Sequence, residues 1–171
     1  MAILSLSQMV ASALVDLEGV VAQGSVRLDF DEIEVHIAPA PHSARGLPAG
    51  KMAVYCFFLN GTALKVGMAG PNSNARFRSH HYGHSRAGST LARSILKYPG
   101  KIGIGPALAD SVGDWIKNNT DRVDLLLPSS WGRPMLSQLE SFLHARWTPI
   151  YEGTVASIAR GVYGVEENSN P

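Results

Sequence analysis

Residues 54–82 read VYCFFLNGTALKVGMAGPNSNARFRSHHY, and the way this stretch pairs with itself decides the fold. Two short apolar runs flank Asn60-Gly61, the strongest short-range hairpin signal a chain carries. A two-residue loop would set Tyr55 across from Val66 and turn Tyr55 and Lys65 to opposite faces. A three-residue loop, Leu59-Asn60-Gly61 with Gly61 in the left-handed position, sets Tyr55 directly across from Lys65. The apolar pattern favours the second register. Val54, Cys56, Phe58, Leu64, Val66 and Met68 then share one face, and Tyr55, Phe57, Ala63, Lys65 and Gly67 the other. A slip by one residue would turn the Lys65 ammonium into the core, which is costly unless the group is paired or neutralised.

Gly67, Gly70 and Pro71 form a tight loop after the hairpin, and Ser73 or Asn74 caps a short helix. Arg76 and His80 are four apart and share one face of that helix; Arg78 and His81 lie on a neighbouring stripe. A phenol, an ammonium, a guanidinium and an imidazole therefore converge near a helix start, where anions are favoured. No carboxylate lies nearby in sequence to neutralise them. Taken singly, each is ordinary: a core tyrosine, a strand lysine, a solvated helix face.

Together they resemble the GIY-YIG nuclease superfamily. Tyr55 matches the first tyrosine of its motif and Gly67 the glycine of the second half. Lys65 stands at the second tyrosine, as in a lysine-containing subgroup of GIY-YIG type II restriction endonucleases. Arg76 and His80 match the arginine and histidine of the following helix. Glu140, nine residues before Pro149, matches the glutamate of a later helix; Glu152 stands where the family usually has asparagine. The resemblance covers residues 53–151. It implies that Tyr55, Lys65, Arg76, His80 and Glu140 are catalytic, that Glu140 holds Mg2+ or another divalent cation such as Mn2+, and that the substrate is double-stranded DNA.

Outside this stretch, 171 residues suffice for one domain with a real core. The 45% hydrophobic content is ordinary, and no apolar run approaches a membrane span. The N-terminus has neither a basic lead nor a convincing cleavage site, so a cytoplasmic location is the default expectation. One cysteine excludes an internal disulfide and a cysteine-based zinc site. The net charge of +1 hides a partition along the chain: no Asp or Glu occurs between Glu34 and Asp110, an interval with nine Lys and Arg and five of the six histidines. Such one-sided sequence suits a phosphate backbone, although a solvated basic face without a partner has the same composition. Arg45, Asn74, Arg78, His81, Arg86 and Arg93 are the candidate DNA contacts.

Helical spacing of Met9, Val10, Leu14, Leu17 and Val21 marks a first helix. Residues 26–30 and 33–37 alternate like short strands, and the Pro/Gly-rich stretch 39–50 separates an N-terminal extension (1–50) from a core (51–164). Further helices fall over residues 90–97, 107–118 and 134–147, and residues 122–127 form a third strand against the hairpin. The tail 165–171 is expected to be disordered. The expected fold is α+β: a small antiparallel three-stranded sheet flanked by helices, with a helix and strand extension at the N-terminus.

The expected function is metal-dependent hydrolysis of duplex DNA, of the sequence-specific restriction type. Tyr55 or Lys65 acts on the attacking water, Arg76 on the scissile phosphate, and His80 supports or carries a proton. Cutting both strands calls for a homodimer with two-fold symmetry. A DNA-binding module that keeps the fold without cutting, and a repair or mobile-element nuclease, are the alternatives.

Overall fold

The computed structural model describes residues 4–25, 27–83, 90–105 and 111–151. Arg86, Glu152, residues 107–110 and the tail 165–171 lie outside them. The described residues form an α+β fold, with a four-stranded antiparallel sheet in the order β1-β4-β2-β3. The strands are β1 (Glu34–Ala38), β2 (Lys51–Leu59), β3 (Thr62–Ala69) and β4 (Asp121–Pro128). Helices α1 (Leu6–Val21), α2 (Asn74–Arg78), α3 (Leu91–Lys97), α4 (Val112–Asn119) and α5 (Gly132–Trp147) surround the sheet.

The run MAVYCFF is buried along its whole length because β2 is an inner strand with helices over both faces. Met52, Val54, Cys56 and Phe58 face a core completed by Val10, Ala13 and Leu17 of α1 and by Leu136, Leu139 and Leu143 of α5. Ala53, Tyr55 and Phe57 face a second core with Phe77 of α2, Leu91 and Ile95 of α3, and Ile116 of α4. Each such fully buried side chain contributes about 1.5–3 kcal/mol through the surface it removes from water. Ser5 caps α1 in a reciprocal pair with Gln8, and Arg146 of α5 binds Asp16 of α1 at 2.6 Å.

The expected three-stranded sheet gains a fourth member. β1 pairs along the outer edge of β4, with Val35 opposite Leu125 and Ile37 opposite Val123. Residues 33–37 read as a strand, but alternation alone does not name a partner. The strand expected over 26–30 does not form in its described part. The Asp29 carboxylate accepts from Asp31 N–H at 3.0 Å and caps a 3-10 turn, Phe30–Glu32, while Arg27 donates to the carbonyls of Ala22 and Gly24 at the end of α1. Local side-chain to backbone bonds have displaced the ladder there.

The hairpin register also differs from expectation. Asn60 and Gly61 both have positive φ, 50° and 77°, and close a two-residue loop with Leu59 opposite Thr62. A bulge then places Phe58 opposite Ala63 but Phe57 opposite Lys65, leaving Leu64 as the extra residue. Ala63 consequently faces the first core and Leu64 the second, the reverse of the expected assignment. Beyond the bulge Tyr55 lies opposite Gly67, with Lys65 as its diagonal neighbour on the same face. The chain leaving α5 covers the outer edge of β3 at this bulge, where Ile150 and Tyr151 donate to the carbonyls of Ala63 and Leu64, each at 3.0 Å.

Candidate functional site

The site is organised by Tyr55. Its ring is 1% exposed and lies over Gly67, where an added Cβ would stand 2.8–2.9 Å from three ring and hydroxyl atoms. Gly67 is therefore the residue that lets the tyrosine lie flat against β3. Phe77 and Phe57 meet the ring edge-on at 6.0 and 6.4 Å and fix its plane.

The Tyr55 hydroxyl lies 2.6 Å from His81 Nε2. Leu91 N–H, at the start of α3, donates to the other ring nitrogen, Nδ1, at 3.3 Å. That bond assigns the proton to Nε2, so neutral His81 donates to the Tyr55 oxygen. Burial, followed by the positive charges of Lys65, His80, Arg122 and Arg76, pushes the His81 pKa down to about 2. The imidazole is uncharged at every physiological pH.

Arg76 gives the Tyr55 oxygen a second hydrogen bond. Burial raises the phenol above its ordinary value; the hydrogen bond and charge of Arg76, then the charge of Arg122, work against that, and Glu140 adds to it. Burial wins, so Tyr55 is a neutral phenol with two donors already aimed at its oxygen. Its own proton must leave in a third direction. The chemistry open to such a group is to hold a water or a hydroxyl and to pass a proton.

Four of the residues expected at the site thus act on one Tyr55–His81 pair: Lys65 and His80 on the imidazole, Glu140 on the phenol, and Arg76 on both. Lys65 is 3% exposed on β3, His80 and Glu140 are half-buried, and Arg76 is exposed. His81 overturns one expectation. Its spacing suggests a DNA contact, but it is 2% exposed and both ring nitrogens are used inside the protein. The helical spacing that paired it with Arg78 ends at Arg78, and His80–Tyr82 continue as a 3-10 turn that swings His81 inward. Arg78 and Arg93 are exposed and Arg45 is half-buried. The Asn74 side-chain oxygen accepts from Leu47 N–H at 2.9 Å and pins the preceding loop.

Beneath the site runs a buried polar network absent from the sequence expectations. Arg122, 2% exposed, donates to Asp124 (2.8 Å), the Tyr82 hydroxyl (3.0 Å) and the Phe77 carbonyl (2.9 Å). Its guanidinium also lies 4.7 Å from the centre of the Phe77 ring. Burial works against its charge, but Asp124 and Tyr82 outweigh that and hold it protonated. Tyr82 donates onward to His42 Nε2 at 2.9 Å, and His42 Nδ1 donates to the Thr120 carbonyl at 2.7 Å. Because Phe77 and Tyr82 flank His81, this network holds the segment that carries Arg76 and His81 against β4. The signal was Arg122 and Asp124, two apart and hence on one face of a strand whose other buried residues, Val123 and Leu125 to Leu127, are apolar.

No group of three or more His, Cys, Asp or Glu suited to a metal occurs among the described residues. A magnesium ion needs no such group: one carboxylate with water and phosphate oxygens satisfies it, and Glu140, whose charge reaches Tyr55, is a donor of that kind. Cys56 offers no thiolate ligand, because burial holds its thiol well above the ordinary value. No protein-family model, curated protein or solved structure matches this chain.

Proposed function

We propose that this chain is a metal-dependent endonuclease that hydrolyses phosphodiester bonds in duplex DNA, a GIY-YIG-like enzyme of the sequence-specific restriction type that works as a homodimer. The observation that carries this reading is the Tyr55 oxygen, which takes hydrogen bonds from Arg76 and His81 while Lys65 and Glu140 act on the same pair. A merely structural tyrosine has no use for this convergence of charge beside an exposed guanidinium.

Arg76, exposed beside Tyr55, meets the scissile phosphate, and its charge-assisted bonds strengthen as negative charge develops on the phosphorane. Tyr55, kept in place by His81, holds the attacking water, whose proton goes to Lys65 either directly or through Tyr55, which hands its own proton to Lys65 as it takes the water's. Lysine takes it only in its neutral form. His80 supports the phosphate or carries a proton at the rim. Glu140 would hold a Mg2+ or Mn2+ ion, which would supply Lewis-acid stabilisation of developing negative charge. Arg78, Arg93 and Arg45 contact flanking phosphates. Two antiparallel strands call for two sites related by a two-fold axis.

Cleavage of plasmid and phage DNA by the purified protein, with Mg2+ or with EDTA and alongside Glu140→Ala, tests this. Discrete fragments that require both the metal and Glu140 support the proposal. Intact DNA under all conditions overturns it in favour of a DNA-binding module, and a uniform smear overturns the sequence-specific part.

A further inference from the structure

Helix α3 begins at the site, with Leu91 N–H on His81, and ends about 9 Å further on at Lys97. Arg93 and Lys97, both exposed and four residues apart, form one positive stripe along it, and Lys101 extends the stripe beyond the helix. Where the stripe ends, Tyr98 is 47% exposed, an unusual position for a large aromatic side chain. Its backbone is held fast. Tyr98 N–H donates to Ser94 at 3.0 Å, and its carbonyl accepts from Lys101 N–H at 3.2 Å and from the Tyr151 hydroxyl at 3.1 Å. The ammonium groups of Lys97 and Lys101 lie 5.0 and 5.3 Å from the ring centre. Lys101 also borders a shallow recess of about 210 Å³ with apolar walls from Leu64, Ile102 and Ile150 and with Asn60 and Thr62 at its rim.

A rigidly mounted, exposed ring between two ammonium groups, next to a small apolar recess with polar edges, is complementary to an unstacked base on a charged backbone. A lysine over an exposed ring is held more weakly than a stacked base, so the Lys97 ammonium can turn to a phosphate as the base arrives, while Lys101, which donates to the Ile150 carbonyl at 3.3 Å, keeps its charge beside the ring. The segment that carries the stripe has no Asp or Glu of its own between Glu34 and Asp110.

We propose that Tyr98, with Arg93, Lys97 and Lys101, binds a single-stranded segment of nucleic acid, stacking one base on the Tyr98 ring beside the recess. The inference rests on the nucleic-acid reading of the neighbouring site. It adds that the substrate carries an unpaired or opened stretch one helix length from the cut.

The test is a fluorescence-anisotropy titration in EDTA of a labelled oligothymidine and of a labelled duplex of equal length. Tyr98→Ala is expected to weaken single-strand binding about 5- to 150-fold, while Tyr98→Phe, which keeps the ring, stays within about 2-fold and duplex binding is unchanged. Lys97→Gln and Lys101→Gln should each reduce the single-strand salt slope by about 0.7. Single-strand binding indifferent to Tyr98→Ala, or a loss shared equally by the duplex, overturns the proposal. Tyr98-dependent binding by a protein that cuts nothing would retain this site and sink the nuclease reading. Cleavage by a protein whose single-strand binding ignores Tyr98 would do the opposite.

Discussion

Replacing Gly67 with alanine probes the closest approach in the site. The glycine lies in extended strand, so its backbone accepts an L side chain; the obstacle is Tyr55, 2.8 Å from the new Cβ at Cε2 and 2.9 Å at Cζ and the hydroxyl. Reaching 3.4 Å, the short limit of ordinary contact, requires the ring or the strand to yield about 0.6 Å. Phe77, Phe57 and His81 close the ring in, so much of that movement falls on the hydroxyl. Overpacking of this kind costs about 1–3 kcal/mol, and removing a strand glycine returns about 0.5–1. The net loss is at most about 2.5 kcal/mol, or up to roughly 10 °C in Tm for a chain of this size. The hydroxyl is expected to lose its alignment with His81 and Arg76. Since displacement of a reacting group by 1 Å costs on the order of 100-fold, single-turnover cleavage should fall at least about 10-fold while the protein stays folded. Thermal melts and ¹⁵N spectra of the His81 ring read stability and hydrogen bond separately from activity. Wild-type cleavage and an unmoved His81 Nε2 signal in Gly67→Ala would refute the reasoning.

Arg122→Met strands Asp124 and removes the donors to Phe77 and Tyr82, so urea unfolding should show a loss of about 3–5 kcal/mol. Arg122→Met/Asp124→Leu should be markedly more stable than the single variant; equal stabilities would contradict the buried pair. His81 binds a proton in the unfolded chain below its ordinary 6.5 but not in the fold, where its pKa is about 2. Stability is therefore indifferent to this group above 6.5 and falls as the pH drops below it, by about 1.4 kcal/mol at pH 5.5 for His81 alone. His42, also lowered by burial, adds in the same direction. Urea midpoints at about pH 7.5 and about pH 5.5 should differ accordingly, and less in His81→Gln; a flat profile would rule out a buried neutral imidazole.

The hairpin was legible because Asn60-Gly61 admits few geometries, and the shared face of Tyr55 and Lys65 followed from alternation. The register was not, because it depends on a bulge at Leu64. That residue turns to the second core while the chain after α5 bonds to the edge of β3, and neither contact is local in sequence. The partner of β1 was hidden for the same reason. Lys65, Arg76, His80 and Glu140 were named from spacing and resemblance, and all four act on the pair formed by Tyr55 and His81. His81 itself was misplaced, because a helix that stops at Arg78 resets the periodicity that put the imidazole outside. Arg122 and Asp124 escaped notice inside an apolar run, although one opposite-charge pair on one face of a buried strand marks a network rather than a surface.

The central claim is that the Tyr55 hydroxyl handles the attacking water. Tyr55→Phe removes that one oxygen and leaves the ring against Gly67, so the variant should fold and bind DNA as the wild type does. Its single-turnover cleavage in Mg2+ should be slower by about 100-fold or more, the range of a positioned acid–base group. Cleavage within about 2-fold of wild type would contradict the account, because a hydroxyl engaged in proton transfer cannot be removed at so little cost.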